Sequence, residues 1–181
     1  MNNLNQSRFQ RAVPFEDFLA STVENADLWQ MTTKRAVVDT ETAARAAELP
    51  GSWHLLVIAD DWCGDAVNSL PYLAKLAELT PNWEMRVIGR EADPELMDRH
   101  LTNGSRSIPV VILLDERFTE CGWWGPRPSE LQEWVLGPGR ELPKDERYRE
   151  VRRWYARDRG RTTLDELLTL AETVAATCRA A

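Results

Sequence analysis

Cysteine and histidine are scarce in this sequence: it holds three thiols, Cys63, Cys121 and Cys178, and two imidazoles, His54 and His100. An odd and sparse set of cysteines argues against a disulfide framework and suits a reducing compartment. The sequence has no C-x-x-C pair and no closely spaced Cys/His group. It therefore lacks the ligand spacing of a structural zinc site, and neither a metal nor a cofactor is expected. Also missing is any apolar run near the roughly 18 residues of a membrane span. The opening stretch, MNNLNQSRFQRAVPFEDF, is polar and has no apolar centre of the signal-peptide kind. A cytoplasmic location and no membrane partner are expected on these grounds. Nor is there an excess of basic charge: the net charge is -7, so nucleic acid is not an expected partner either.

What is present suits a folded chain. The 181 residues fit one domain of ordinary size with helical additions, and a hydrophobic fraction of 43% supplies a core. Phe15, Phe18 and Leu19 at helical spacing predict a helix within 14–28. TETAARAAEL, 40–49, predicts a second one opened by its capping threonine and stopped by Pro50-Gly51. WHLLVIA, 53–59, is a nearly continuous apolar run, the pattern of a strand buried on both faces. The next segment, 64–79, repeats apolar residues with helical period and carries Pro71 inside it, where a bend is expected.

WEMRVIG, 83–89, predicts a strand, and Asp93-Pro94 opens a short helix. PVVILLD, 109–115, and RFTECGWW, 117–124, predict a buried strand and its hairpin partner. PSELQEWVL, 128–136, predicts a further helix ended by Gly-Pro-Gly at 137–139. Residues 53–136 thus follow a β-α-β-α-β-β-α order. Two more helices are expected after it, the last over 163–179 with a capping box from Thr163 to Glu166. The arginine-dense stretch RYREVRRWYARDRGR, 147–161, reads as a solvated helix face offsetting acidic charge, or else as a patch for an anionic partner.

Cys63 directly follows a buried strand and opens a helix. In that place the free N–H groups of the first turn and the helix dipole favour a thiolate, the nucleophilic form of cysteine. The bland alternative is a small buried residue that packs and never reacts.

DWCGDA, 61–66, resembles the W-C-G-x-C active site of the thioredoxin superfamily. Pro71 is similar to the proline that bends the active-site helix there, and RSIPV, 106–110, resembles the loop bearing its cis-proline. Together with NGSRSIP and GWWGPRP, the motif looks more narrowly like a thioredoxin-like family of bacterial proteins. The resemblance implies a three-layer α/β/α fold on a central mixed sheet. The division it suggests is a helical N-terminal extension over 1–52, a core over 53–137 and C-terminal helices over 140–181. It also implies a cis Pro109 lying against Cys63. Trp62, Gly64, Asp65, Ile108, Pro109 and Gly125 would then form a shallow substrate groove, in which the Ile108 backbone could pair with an extended chain.

The chain departs from the pattern at informative places. A dithiol enzyme releases its mixed disulfide through a second cysteine, and here that position is Ala66. The position of the family's buried acid is Val57, and Asp60, Asp61 and Asp65 crowd the site with charge that opposes a thiolate. Arg106 is a candidate compensating cation. Cys121 lies about 13 Å along its strand from the site at the usual rise per residue, too far for a disulfide with Cys63, which needs Cα atoms within about 7 Å. Cys178 reads as a core residue of the last helix. Trp123 and Trp124 read either as packing under the C-terminal helices or as an aromatic rim. The expected function is a single-cysteine thiol-disulfide oxidoreductase acting through Cys63. Its partners would be a thiol- or disulfide-containing protein or a low-molecular-weight thiol. The competing reading is an inactive binding module on the same fold, and a peroxidase lacks a recognisable Thr-x-x-Cys pattern. The oligomeric state is not legible.

Overall fold

The apolar runs at 53–58 and 110–114 become the two innermost strands of a five-stranded sheet, β2 (Trp53–Ile58) and β4 (Val110–Leu114). Both lie inside the sheet, and their side chains on both faces are buried apart from the half-buried His54. In a computed structural model, which describes residues 4–178, the sheet order is β1-β3-β2-β4-β5. The other strands are β1 (Val13–Pro14), β3 (Trp83–Ile88) and β5 (Glu120–Trp124). The β2–β3 pair is parallel, and β1–β3, β2–β4 and β4–β5 are antiparallel. The fold is the expected α/β arrangement on a mixed sheet.

Register decides which chain segments meet. Ile58 at the end of β2 pairs with Val110 at the start of β4, and Val111 pairs with Trp124 at the end of β5. The connections 59–63, 106–109 and 125–128 therefore leave the sheet at one edge.

The helices are α1 (Leu4–Arg11), α2 (Phe15–Ser21), α3 (Ala26–Arg35), α4 (Thr40–Glu48), α5 (Gly64–Leu79), α6 (Pro94–Asp98), α7 (Ser129–Leu136), α8 (Lys144–Asp158) and α9 (Arg161–Cys178). Asp93 caps α6 as expected, accepting from the Leu96 N–H at 2.9 Å.

Four local expectations are corrected. The helix expected within 14–28 ends at Ser21 and a second begins at Ala26; between them Asp61 holds the chain, its Oδ2 accepting from the Val23 and Glu24 N–H groups at 2.8 and 2.9 Å. Helix α4 is capped by Asp39, which accepts from the Thr42 N–H at 2.8 Å, rather than by Thr40. The last helix starts at Arg161, and the buried Asp158 carboxylate receives the Thr162 N–H and hydroxyl. Its first turn leaves no capping box: Thr163 is buried, while Glu166 accepts from Trp124 Nε1 and from Ser129. The expected end of that helix at 179 falls outside the described residues.

The fourth correction concerns the cysteines. Cys121 on β5 and Cys178 on α9 form a disulfide with Cα atoms 5.4 Å apart. Helix α9 crosses β5 closely enough that a Cβ on Gly122 would lie 3.1 Å from Leu170 Cδ1, and this contact brings the sulfurs together. Odd count and wide spacing gave no sign of the pairing.

Helix α1 and strand β1 have no readable signal in the sequence, since the segment is polar. They are held by tertiary contacts. Arg8 is buried and donates to Asp93 at 2.9 Å, and Phe9 packs edge-on against the His54 ring at 5.0 Å.

Candidate active site

Cys63 is the N-cap of α5, so its sulfur sits where the first turn's N–H groups have no helical partner. The Ala66 N–H donates to Sγ at 3.4 Å. The thiol in turn donates to the Ile108 carbonyl at 3.3 Å, beyond the Ile58–Val110 end of the β2–β4 pair. Residue 63 is 6% exposed and is the free cysteine among the described residues. The Ile108–Pro109 peptide is cis, as is Gly125–Pro126. Gly125 has φ +132°, and a Cβ there would collide with the Pro109 carbonyl oxygen, so only glycine lets the two loops touch.

The electrostatics run against a resting thiolate. Burial comes first and the Asp65 charge second, and together they push the Cys63 thiol up to about 11. The Ala66 and Asp65 N–H groups and the Arg127 guanidinium pull the other way and lose. Asp65 itself is held on two sides. Arg127 forks onto both its oxygens, with Nε to Oδ1 at 3.1 Å, and the buried Tyr155 hydroxyl donates to Oδ1 at 2.9 Å. Burial, then Asp65, keeps that hydroxyl protonated well above the ordinary tyrosine range.

The other two aspartates are occupied elsewhere. Asp61 organises the loop before α3, and its carbonyl also accepts from Trp29 Nε1 at 2.9 Å. Asp60 accepts from the Arg90 N–H at 3.3 Å. Arg106, the expected compensating cation, is committed to Asp98 by two bonds of 2.7 Å. The cation that acts on Cys63 is Arg127, in the loop after β5. Sequence reasoning missed both Arg127 and Tyr155; nothing in the spacing links residues 65, 127 and 155.

Asp65→Asn keeps an acceptor for Arg127 and Tyr155 but removes the anion. The Cys63 titration midpoint is expected to move down, so alkylation by iodoacetamide at pH 8 should accelerate by roughly three- to tenfold, in proportion to the larger thiolate fraction. The measurement is alkylation rate against pH. In the wild type the rate should keep rising above pH 9, because a thiol with a raised pKa yields its thiolate only as the pH approaches that value.

A cavity of about 720 Å³ opens beside the sulfur. Among the expected groove residues, Trp62, Cys63, Gly64, Asp65 and Ile108 line it. Pro109 and Gly125 do not; they lie packed on one another. Trp62 is 49% exposed, with the Arg90 guanidinium 5.1 Å above its ring. Neither Trp123 nor Trp124 lines this cavity. Alternation along β5 sends Trp124 to Glu166 of α9 at 2.7 Å and Trp123 to the His100 ring at 5.7 Å, so only the first packs with the C-terminal helices. The arginine-dense stretch contributes Arg147 and Arg152 to the wall from α8, while Arg149, Arg153 and Arg157 of the same helix are exposed to solvent.

A single free cysteine thus caps a helix and faces a cis-proline loop, the placement that the resemblance to the thioredoxin superfamily implies. The family model described as thioredoxin matches residues 12–157, and the chain belongs to that thioredoxin-like family. It is 30% identical over 86 residues to a protein named "Putative thioredoxin 2" from Streptomyces coelicolor, covering 48% of this chain. The chain spans 62% of the length of that curated relative. A crystal structure of a protein of unknown function from Pseudomonas aeruginosa superposes with a TM-score of 0.76 at 20% identity, over 96% of this chain and 99% of the other. An HIV epitope scaffold superposes with a TM-score of 0.72 at 18% identity, over 92% and 96% of the two chains. These two likenesses speak for the fold alone. Among the described residues, no helix is long and apolar enough to cross a membrane.

Proposed function

We propose that the protein is a monothiol thiol-disulfide oxidoreductase that works through Cys63. Membership of a thioredoxin-like family supports redox chemistry on thiols or disulfides. The observation that carries the single-cysteine form is the pairing of a cavity-lining Cys63 with Ala66 at the resolving position. Cys121 and Cys178 are already joined to each other.

In the proposed cycle the Cys63 thiol gives its proton to solvent, and the thiolate attacks one sulfur of a disulfide RS–SR′. The S–S bond breaks, R′S⁻ leaves, and a mixed disulfide Cys63–S–S–R forms. An external thiolate R″S⁻ then attacks the R sulfur, returning the Cys63 thiolate and releasing RS–SR″. Each step exchanges one S–S bond for another, and net reduction of the substrate comes from the external thiol. The resting site disfavours the first proton loss. The groups that lower its cost are the Ala66 and Asp65 N–H groups, aimed at the sulfur, and Arg127. Trp62, Gly64, Asp65 and Ile108 are the proposed substrate contacts, with Pro109 and Gly125 shaping the loop behind them.

The test is turnover of a mixed-disulfide substrate with and without an added small thiol, in wild type and in Cys63→Ser. Activity is expected to require the small thiol and to vanish in the variant. Turnover by the wild type with no external thiol, or activity retained in Cys63→Ser, would overturn the single-cysteine mechanism. A wild-type protein that forms no adduct at Cys63 with any disulfide would favour the binding-module reading.

A further inference from the structure

The cavity beside Cys63 differs sharply in charge from the rest of the chain. The whole protein carries a net charge of -7. Yet this wall gathers Arg90, Arg106, Arg127, Arg140, Arg147 and Arg152 against a single carboxylate, Asp65. Three of the six are neutralised: Arg90 by Glu91 at 2.9 Å, Arg106 by Asp98 at 2.7 Å, and Arg127 by Asp65. Arg140, Arg147 and Arg152 have no acidic partner among the described residues. All three come from the segment beginning at the turn before α8, and they face the same space as the Cys63 sulfur.

Like charges gathered at a concave surface repel one another, and low-dielectric walls focus their field into the space between them. A fold that needed only solubility would disperse these arginines or pair them, as it does with Arg45, which bridges Asp165 and Glu172 at 2.8 and 3.0 Å. The guanidinium fork is built to receive carboxylate oxygens two at a time. Leu28, Val135, Leu136 and Val151 line the same cavity, so it offers apolar surface beside the basic groups, which suits a ligand with a short hydrocarbon or peptide body between its charges. The volume of about 720 Å³ lies within the range of small-molecule sites, roughly 300–1,000 Å³.

We infer that this cavity recognises an anionic low-molecular-weight thiol: a peptide-sized molecule with two or more carboxylates, held by Arg140, Arg147 and Arg152 with its sulfur presented to Cys63. The assignment rests on the single-cysteine reading for its chemistry, since it names the class of external thiol that reduces the mixed disulfide. The carboxylate contacts stand on geometry and charge alone. They add no redox step beyond the exchange already written.

Two measurements on the full chain keep the two claims apart. In the first, adduct formation at Cys63 is followed by mass with oxidised glutathione, which is anionic, and with cystamine, which is cationic. The ratio of their rates is expected to favour glutathione by about tenfold or more at low salt. It should fall towards one at high ionic strength, and invert in the Arg147→Glu/Arg152→Glu variant. A ratio near one in the wild type, or one that neither salt nor the variant moves, overturns the inference. In the second, S-methylglutathione, which cannot exchange, is titrated calorimetrically into wild type and the same variant. Saturable binding that the variant loses supports the cavity assignment even where Cys63 proves inert. No binding to wild type overturns the assignment even where Cys63 exchanges freely. Circular dichroism of the variant matching the wild type assigns its loss of binding to charge rather than to unfolding.

Discussion

Ala66→Cys is expected to give the protein a second thiol within reach of Cys63 and, with it, disulfide reduction that needs no small thiol. The Ala66 N–H already points at Cys63 Sγ from 3.4 Å, so residue 66 stands in the first turn over the sulfur. A cysteine there would attack the mixed disulfide from within the chain and release the product, leaving an intramolecular disulfide. The cost is volume. Ala66 is fully buried, and adding a sulfur to a packed core typically costs about 1–3 kcal/mol. The rate should also stay modest, because Val57 is fully buried between Val87 and Val111 and supplies no proton acceptor for the second thiol. The measurement is single-turnover reduction of a protein disulfide together with the loss of two hydrogens in the mass of the variant. Wild type should show neither.

Cys178→Ser is expected to lower the unfolding free energy by about 4 kcal/mol under oxidising conditions, the chain-entropy value for a cross-link that closes a loop of 57 residues. The cross-link ties the end of α9 to the edge strand β5. Without it, α9 retains its packing on β5 and α5 through Leu164, Leu167, Leu168 and Ala171, all buried. The fold should therefore survive at reduced stability. Guanidinium unfolding of wild type and variant checks this, with a lower midpoint in the variant. Dithiothreitol should bring the wild type down to the variant's midpoint. Cys63 alkylation should be the same in both, because neither sulfur of the cross-link takes part in the site.

Much of the framework is legible in the amino-acid order itself. The apolar runs at 53–58 and 110–114 had to be buried strands, because a solvent-facing strand alternates polar and apolar residues. Cys63 is legible for a local reason: it follows a buried strand and opens a helix, and the structure makes it that helix's N-cap. The Ile108-Pro109 loop stands out because Pro109 begins a buried strand. Resemblance to the thioredoxin superfamily joins these local readings into one expected site, and the family match over 12–157 bears out the family.

Other parts are invisible in the sequence because they depend on pairs of residues far apart in the chain. Arg8 looks like a surface arginine in a polar segment, yet it is buried against Asp93. Asp61 looks like charge crowding the thiol and instead binds the loop at 23–25. Cys121 and Cys178 are too far apart in sequence for their spacing to carry information; they meet because α9 lies across β5.

Taken alone, the sequence determined that a single cysteine, with alanine three residues on, follows a buried strand and opens a helix. Caps, periods and apolar runs are local, and a helix cap can be read from its neighbours. Only the tertiary structure decided what that cysteine feels. Strand register brings the 59–63 and 106–109 loops together so that the thiol faces the Ile108 carbonyl. The return of α8 sets Arg147 and Arg152 around the cavity and Tyr155 against Asp65. Burial and charge at a site are sums over every element that reaches it, so the surroundings of Cys63 and Asp65 depend on residues far along the chain, Ile108, Arg127 and Tyr155 among them.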